Sequence, residues 1–381
     1  MKKTMKKMVA LLCCLALVTV AFAGCAGTKP ANEPEATPAA GDESAAPSGE
    51  VETITLRIGA GHTPESGQWI KVIEDFFMPE IDARLEGTGY EIEWVTAWGG
   101  SVAKLGEVLE AIETGLLDIG YIVYVFEPSK LMLQGMTYRM PFQSGDPLLV
   151  AEASAYMYDK YPEFKEDFNK YNQSCLAVSV SDPYNMYANF DVKSYTDLEG
   201  VKVGAAGANL SWIENTGAVP VQTNLNECFT CLQTGVYDAT IQPTGACYKL
   251  QVHTEAPYLL EAHFGVQSFG AISMNNDTLA GLPEEVKSVI EEVSVEYQTK
   301  EAEYILQRYE EDKAGMEAEG TTIYTLPQEE RVKWAAMLPN VVGDLCDELT
   351  ELGYPAKDII SDYYGFLQEN GYEMIRDWEL N

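Results

Sequence analysis

The chain predicts an α/β fold divided into two lobes, and three observations carry that reading. Between Tyr195 and Pro243 a strand, helix, strand, helix, strand order can be followed from punctuation alone, which is the grammar of parallel α/β units. The segment Phe229 to Asp238 repeats the construction of Leu109 to Asp118, with the same Thr-Gly-x-x-Asp ending. Each copy follows an amphipathic helix and precedes a short apolar strand, so two α/β halves share one device with a cleft between them. The chain has 381 residues, 46% of them hydrophobic, enough for a sizeable core or two. Ligands of open α/β sheets sit beyond the carboxyl ends of the strands, so the loops leaving the strands are where site residues are sought.

Within the central stretch, Asp197-Leu198-Glu199-Gly200 reads as a turn that launches the strand Val201 to Ala205. A helical stretch around Leu210, Trp212 and Ile213 stops at Gly217, as glycine commonly does after a helix. Pro220-Val221 opens another extended piece. Asn224 or Asn226 caps the next helix, with Glu227 in its first turn, where the helix dipole favours an acid. That helix stops at Gly235, and Tyr237-Asp238 turns into the strand Ala239-Thr240-Ile241.

This run resembles the substrate-binding subunit of TRAP (tripartite ATP-independent periplasmic) transporters, the dicarboxylate-binding, DctP-like family. The matching positions are Asp197-Leu198, Gly200, Lys202, Gly217-Ala218, Pro220, Glu227, Leu232-Gln233-Thr234-Gly235 and Asp238, with Leu105-Gly106-Glu107 and Gly115-x-x-Asp118 in the first half. The resemblance extends over roughly Ile54 to Trp378. It implies a two-lobed, periplasmic-binding-protein-like fold with an interlobe cleft and a long bracing helix. It also implies a receptor that captures a small organic ligand by lobe closure and delivers it to TRAP membrane subunits. No cofactor and no catalytic residue is implied. Lobe I is expected at 51–177 plus about 260–300, and lobe II at 178–259 plus about 301–381. One departure matters. The family's arginine, two residues after the lysine, usually pairs with a substrate carboxylate, and Gly204 stands there. A second basic position of some members falls near Tyr184.

At the amino terminus, Lys2, Lys3, Lys6 and Lys7 precede an apolar run from Val9 to Phe22, the pattern of a secretory signal and too short for a comfortable membrane span. Phe22-Ala23-Gly24-Cys25 resembles a lipoprotein cleavage box, which would make Cys25 the lipidated first residue; the other reading is ordinary cleavage nearby. The signal is thus placed at 1–25. Residues 26–50 are rich in Ala, Pro, Gly, Ser and Glu without apolar periodicity, a disordered linker. Net charge is −34, which argues against nucleic acid or anionic lipid surfaces as charge-driven partners. Nothing later is apolar enough to span a membrane, so a lipid would be the only anchor and the chain is expected outside the cytoplasm.

The first strand, Ile54 to Ala60, is followed by Gly61-His62-Thr63-Pro64. His62 leaves the strand at its carboxyl end and is either a ligand contact or a surface loop residue. A helix from about Ser66 to Glu86 puts Trp69, Ile70, Ile73, Phe76, Phe77 and Ile81 on its inner side. The strand Tyr90 to Thr96 ends at a loop containing Trp98, whose flat face suits an apolar or ring-shaped ligand unless it packs under the loop. The strand Ile119 to Phe126 brings Tyr121 or Tyr124 toward the cleft; a regular period of two would not send both the same way. Arg139, one of six arginines, is either a surface residue or the substitute carboxylate clamp for the one missing at Gly204. The strand Leu176 to Val180 crosses between lobes and leads to Tyr184. Asn209 and Trp212 follow Gly204 closely, and Gln242 falls where some family members carry a substrate-contacting amide; an amide both donates and accepts.

Phe264 to Ser273 reads as the strand returning to the first lobe. Pro283 then starts a helix with Val286, Val289, Ile290, Val293 and Tyr297 at helical spacing. Extended to Ala318 it spans ~54 Å at ~1.5 Å per residue. Its acidic clusters Glu284-Glu285, Glu291-Glu292 and Glu310-Glu311-Asp312 read as a solvated face. Gln328 to Trp378 is helical, with Pro327 and Pro355 at segment boundaries. The three histidines have no metal spacing and form no Ser-His-Asp set. Cys228 and Cys231 form a C-x-x-C with no second pair and no nearby His, so core thiols or a local disulfide are preferred to zinc. A binding receptor is therefore the leading reading. A receptor for an ABC importer or a sensor kinase, and a surface enzyme, are the rivals.

Overall fold

The computed structural model describes residues 51–380. The expected signal at 1–25, linker at 26–50 and lipidation at Cys25 lie outside the described residues. Strand β1 (Glu52–Ala60) leads into a helix built in three pieces: α1 (Gln68–Val72), a π turn at Ile73–Phe77 and α2 (Met78–Leu85). Pro79 sits at the start of the third piece. It has no N–H to give to the preceding turn and its ring crowds the carbonyl four residues back, which widens that turn. Next come β2 (Tyr90–Ala97), α3 (Val108–Glu113) and β3 (Ile119–Val123). The expected strand to Phe126 ends early, because Tyr124–Phe126 turns as a 3-10 helix. Helices α4 (Pro147–Lys160) and α5 (Glu163–Asn169) then lead to β4 (Gln173–Val180).

The chain continues through β5 (Tyr184–Ala188), β6 (Lys202–Ala205), β7 (Val219–Gln222), α6 (Cys228–Gln233), β8 (Ala239–Pro243), α7 (Thr244–Lys249), α8 (Val252–Glu255) and β9 (Tyr258–Gly265). It closes with β10 (Ser268–Asn275), α9 (Asn276–Gly281), α10 (Glu284–Ala318), β11 (Thr322–Thr325), α11 (Gln328–Met337), α12 (Val341–Glu351) and α13 (Ala356–Glu369). Two expectations are corrected here. The stretch around Trp212 is a 3-10 helix, Gly207–Ile213. The continuous strand expected over Phe264 to Ser273 is two strands, β9 and β10, because His263 and Gly265 take positive φ and bend the chain out of the second sheet before it enters the first.

The first sheet has the order β2-β1-β3-β10-β4 and the second β11-β9-β5-β8-β6-β7. Read from β7, the second sheet repeats the first. β1 is parallel to β2 and β3, as β6 is to β7 and β8; β10 is antiparallel to β3 and β4, as β5 is to β8 and β9. The Thr-Gly-x-x-Asp device holds the same place in both. Thr114 and Thr234 each return a hydroxyl hydrogen bond to the carbonyl four residues back. Gly115 and Gly235 take φ of +71° and +69°, a conformation glycine adopts without a Cβ penalty. The Asp118 and Asp238 N–H groups donate to the Arg57 and Lys202 carbonyls of β1 and β6, both at 2.9 Å.

The sheets are joined by a ribbon in which β4 runs on into β5 and β9 into β10. At its middle the Ser181 N–H donates to the Gln267 carbonyl at 3.0 Å and the Gln267 N–H to Ser181 Oγ at 2.9 Å. Helix α10, 35 residues long, lies across this junction as the sequence predicts. Its Tyr297 hydroxyl donates to the Trp69 carbonyl at 2.9 Å, on the first-sheet side, and its Tyr309 hydroxyl to Glu261 of β9 at 3.0 Å. The acidic pairs Glu284-Glu285, Glu291-Glu292 and Glu310-Glu311 are exposed. Asp312 is the correction: it is fully buried, held by Arg308 and Lys249. The tail divides into three helices, with Pro327 and Pro355 as N-caps.

Candidate functional site

The sheets present the carboxyl ends of β1 and β3 on one side and of β6 on the other, and the loops leaving them meet. Trp212 Nε1 donates to the Tyr138 carbonyl at 2.9 Å. A cavity of about 530 Å³ lies between the segment after β3, with Phe126, Tyr138 and Arg139, and the segment after β6, with Ala208, Leu210, Ser211 and Glu214; Glu348 of α12 flanks it. A volume of this size suits a small organic molecule.

Behind the first wall sits His62. It is 1% exposed, its ring 5.4 Å from Trp69 and 6.2 Å from Phe126. The surface-loop alternative for His62 is thereby excluded. Its Nδ1 is buried with no hydrogen-bond partner, and so is the Nε1 of Trp69. Burial pulls the His62 pKa down to about 4, since desolvation disfavours the charged ring. Behind the second wall sits Asn209, fully buried, with neither amide atom partnered. Asn209 follows β6 as His62 follows β1, so topologically matched loops bring unsatisfied polar groups to the two sides of one cleft. Each such group carries a cost of ~1–3 kcal/mol while unpaired.

An aromatic succession joins these points. Trp69 packs on Tyr121 at 6.0 Å and on Phe269 at 4.2 Å. Phe269 adjoins Tyr138, Tyr138 adjoins Tyr184, and Tyr184 meets the Trp212 ring edge-on at 5.5 Å. Tyr121 and Tyr124 do part ways: the Tyr121 hydroxyl pairs with Ser179, while the Tyr124 hydroxyl meets that of Tyr158 at 2.7 Å. Arg139 lines the cavity, but its guanidinium is held by Glu348 at 2.6 Å. Of the nine expected contacts only Arg139 is among the residues lining the cavity; His62, Tyr121, Tyr184, Gly204, Asn209, Trp212, Trp98 and Gln242 are not. Trp98 is half-buried, with its indole N–H on Glu74 at 2.9 Å. Gln242 is buried on β8, donating to Thr240 Oγ1 at 3.3 Å.

Gly204 is closed off rather than vacant. A Cβ there would lie 2.6–2.8 Å from three atoms of the Tyr237 ring, so the position is sealed by a tyrosine from the Thr-Gly-x-x-Asp device. Tyr237 and Trp69 escaped the sequence reading. Trp69 looked like core because it stands on the inner side of a helix. Its place in the first turn after the His62 loop was the available signal. For Tyr237 it was the aromatic in the repeat where the first copy has Leu117.

The five cysteines among the described residues are free thiols, so Cys228 and Cys231 form no disulfide. Among the described residues no group of three or more His, Cys, Asp or Glu side chains is placed to hold a metal ion, and no helix is long and apolar enough to cross a membrane.

The fold matches solved structures closely. A TRAP periplasmic solute-binding protein from Desulfovibrio salexigens, in an open complex, aligns over 84% of this chain and 97% of its own with a TM-score of 0.73 at 19% identity. A TRAP solute-binding protein from Rhodoferax ferrireducens in complex with copurified benzoate aligns over 83% and 98%, with a TM-score of 0.75 at 15% identity. A Bordetella pertussis extracytoplasmic solute receptor binding pyroglutamic acid aligns over 82% and 99%, with a TM-score of 0.67 at 17% identity. Residues 99–348 match the family described as bacterial extracellular solute-binding protein, family 7. That family consists of solute-binding receptors rather than enzymes, and with the match covering most of the chain, this protein belongs to it.

Proposed function

We propose that the protein is the lipid-anchored extracytoplasmic receptor of a TRAP-type uptake system. It captures a small organic molecule in the cleft between its sheets and presents it to TRAP membrane subunits. The observation that carries this reading is a cavity of about 530 Å³ walled by the segment after β3 on one side and by the segment after β6 on the other. A ligand seated there touches both walls at once, so it selects the closed form. The sheets serve as the lobes, and the joints are Ser181–Pro183 and Val266–Gln267. In this reading lobe I resumes at Val266, and the pairing of β9 within the second sheet supports that choice over about 260. The solved relatives bind benzoate and pyroglutamic acid, which supports a ligand of that size. Cys25 carries the lipid, and 26–50 tethers the receptor.

Thermal denaturation against a library of aliphatic acids, aromatic acids and neutral analogues tests capture, because binding to the native state alone raises the midpoint. A midpoint unmoved by every compound would count against it. The Cys25→Ser variant tests anchoring: the protein is expected to leave the membrane fraction for the soluble one.

A further inference from the structure

We infer that the cavity between the segments after β3 and β6 takes an apolar amine, its aryl or alkyl body seated among Phe126, Leu131, Met132 and Leu210 and its ammonium held by Glu214 and Glu348. Each of these residues lines that one cavity. The inference rests on the receptor reading above and deepens it by naming the ligand class.

Charge is the first support. Apart from tyrosine, the ionisable side chains of the wall are Arg139, Glu214 and Glu348. The one cation among them is engaged, since Arg139 Nη1 donates to Glu348 Oε2 at 2.6 Å. Glu214 has neither an ion pair nor a side-chain hydrogen bond among the described residues. No second arginine can stand at residue 204 while the Tyr237 ring occupies the space beside it. The wall therefore carries one acid more than it has bases. A carboxylate entering this cavity must displace Glu348 from Arg139 and lie near Glu214, so it gains one ion pair by breaking another. An ammonium leaves the Arg139–Glu348 pair intact. It has three donors and no acceptor, which suits Glu214 and the Glu348 oxygen that does not face Arg139. Hydrogen bonds between two ionised groups are stronger than neutral ones. The net charge of −34 also draws cations rather than anions toward the surface.

The rest of the lining is the second support. Beside the four residues that seat the ligand body, Val125 and Leu345 are apolar too. Met132 is unbranched and adapts to irregular shapes, so the body need not be one particular ring. The wall's hydroxyls are already spent. Ser211 Oγ donates to the Ala208 carbonyl at 2.8 Å, and Thr223 Oγ1 meets the Tyr237 hydroxyl at 3.3 Å. A polyol or sugar acid would bury hydroxyls against this surface without partners, which is costly.

The test compares matched compounds on the full chain by calorimetry at neutral pH: benzylamine, benzamide and benzoate, and phenethylamine beside phenylalanine. Benzylamine is expected to bind at least about fivefold more tightly than benzamide or benzoate, and phenethylamine to bind more tightly than phenylalanine, whose added carboxylate finds Arg139 engaged. In Glu214→Gln the amine affinity is expected to fall by about fivefold, with the melting midpoint of the unliganded protein unchanged, because Glu214 has no partner to lose. Glu348→Gln is the second variant. It removes an acid and frees Arg139, so the amines are expected to weaken and benzoate to gain at least about fivefold. Tighter wild-type binding of benzoate or benzamide than benzylamine would overturn the ligand class and leave the receptor reading standing. Tighter binding of phenylalanine than phenethylamine would do the same. Wild-type amine affinity in both variants would overturn the assignment to Glu214 and Glu348. If no compound of these two series binds while the thermal library yields another ligand, the amine class falls and the receptor reading stands; if the library yields none either, both fall.

Discussion

At Gly204 the missing side chain is a matter of packing, since the Tyr237 ring atoms Cε1, Cζ and Cδ1 lie 2.6, 2.7 and 2.8 Å from where a Cβ would stand. Tyr237 is fully buried, so the ring has no easy retreat. Gly204→Ala is therefore expected to destabilise by ~1–3 kcal/mol, the usual range for overpacking, as measured by urea denaturation. Combined with Tyr237→Leu, which opens the space, the loss should be smaller than the sum of the two single losses by ~1 kcal/mol or more. Strict additivity would show that the ring and the glycine are not coupled. His62 gives a second residue-scale expectation. Burial pulls its folded pKa down to about 4 from an ordinary value near 6.5, so the unfolded chain binds more protons between those values. Stability from this group is present above about pH 6.5 and is lost as pH falls toward 4, by ~3 kcal/mol in total. Buried Asp182, pushed up to about 7 by desolvation, has the opposite sign over an overlapping window. The clean readout is thus the difference between wild type and His62→Gln, in which the Asp182 contribution cancels. Wild type should lose ground to the variant between pH 7 and pH 4.5. A constant difference would contradict the burial argument.

Helix α10 carries two carboxylates into the interior, and neither was visible as such in the sequence. Asp312 stands in an acidic run, and its partners come from Arg308 on the same helix, Lys249 on α7 and Gln68 at the start of α1. Periodicity reports which face of a helix is apolar, not which distant residues will neutralise a charge on it. For the same reason the packing of Tyr237 on Gly204 was not legible, although the aromatic in the repeat, where the first copy has Leu117, marked the residue. The repeated Thr-Gly-x-x-Asp ending was legible, because every hydrogen bond that makes it a helix stop is local or goes to the adjoining strand. The long helix was legible from spacing alone. The break at Val266–Gln267 was not, since an apolar run through two sheets looks like one strand. Glu301 supplies the prediction at this scale. It is fully buried, with Oε2 accepting the Val180 N–H at 3.2 Å and Oε1 unpartnered. Burial raises its pKa well above the ordinary value, so the folded state favours the protonated form. Stability is greatest below the unfolded pKa and is lost as pH rises through the folded one. Glu301→Gln keeps the acceptor for Val180 and abolishes the charge. It should match wild type near pH 4.5 and exceed it at pH 8 by ~1–3 kcal/mol in denaturant titrations. Equal stability at both pH values would mean that the charge is already screened.

For the whole molecule, a net charge of −34 sets a field that every ligand crosses before it reaches the cleft. The Debye length is about 30 Å at 0.01 M salt and about 3 Å at 1 M, so at low salt that field extends well into the solvent and at high salt it is confined to the surface. An anionic ligand approaches against it, and its association rate should rise as salt is added. An uncharged ligand should arrive at a rate that salt leaves unchanged within about twofold, since long-range steering acts on charge. Stopped-flow association of benzamide and benzoate, each from 0.01 to 0.5 M sodium chloride, separates the two terms. The expected pattern is a flat response for the amide and a rising rate for the acid. A benzoate affinity that falls steeply with salt would instead reveal a local cation strong enough to overcome the global repulsion. Arg139 would then have to release Glu348 on closure, and the Arg139→Gln variant, which removes the charge, should abolish that salt dependence.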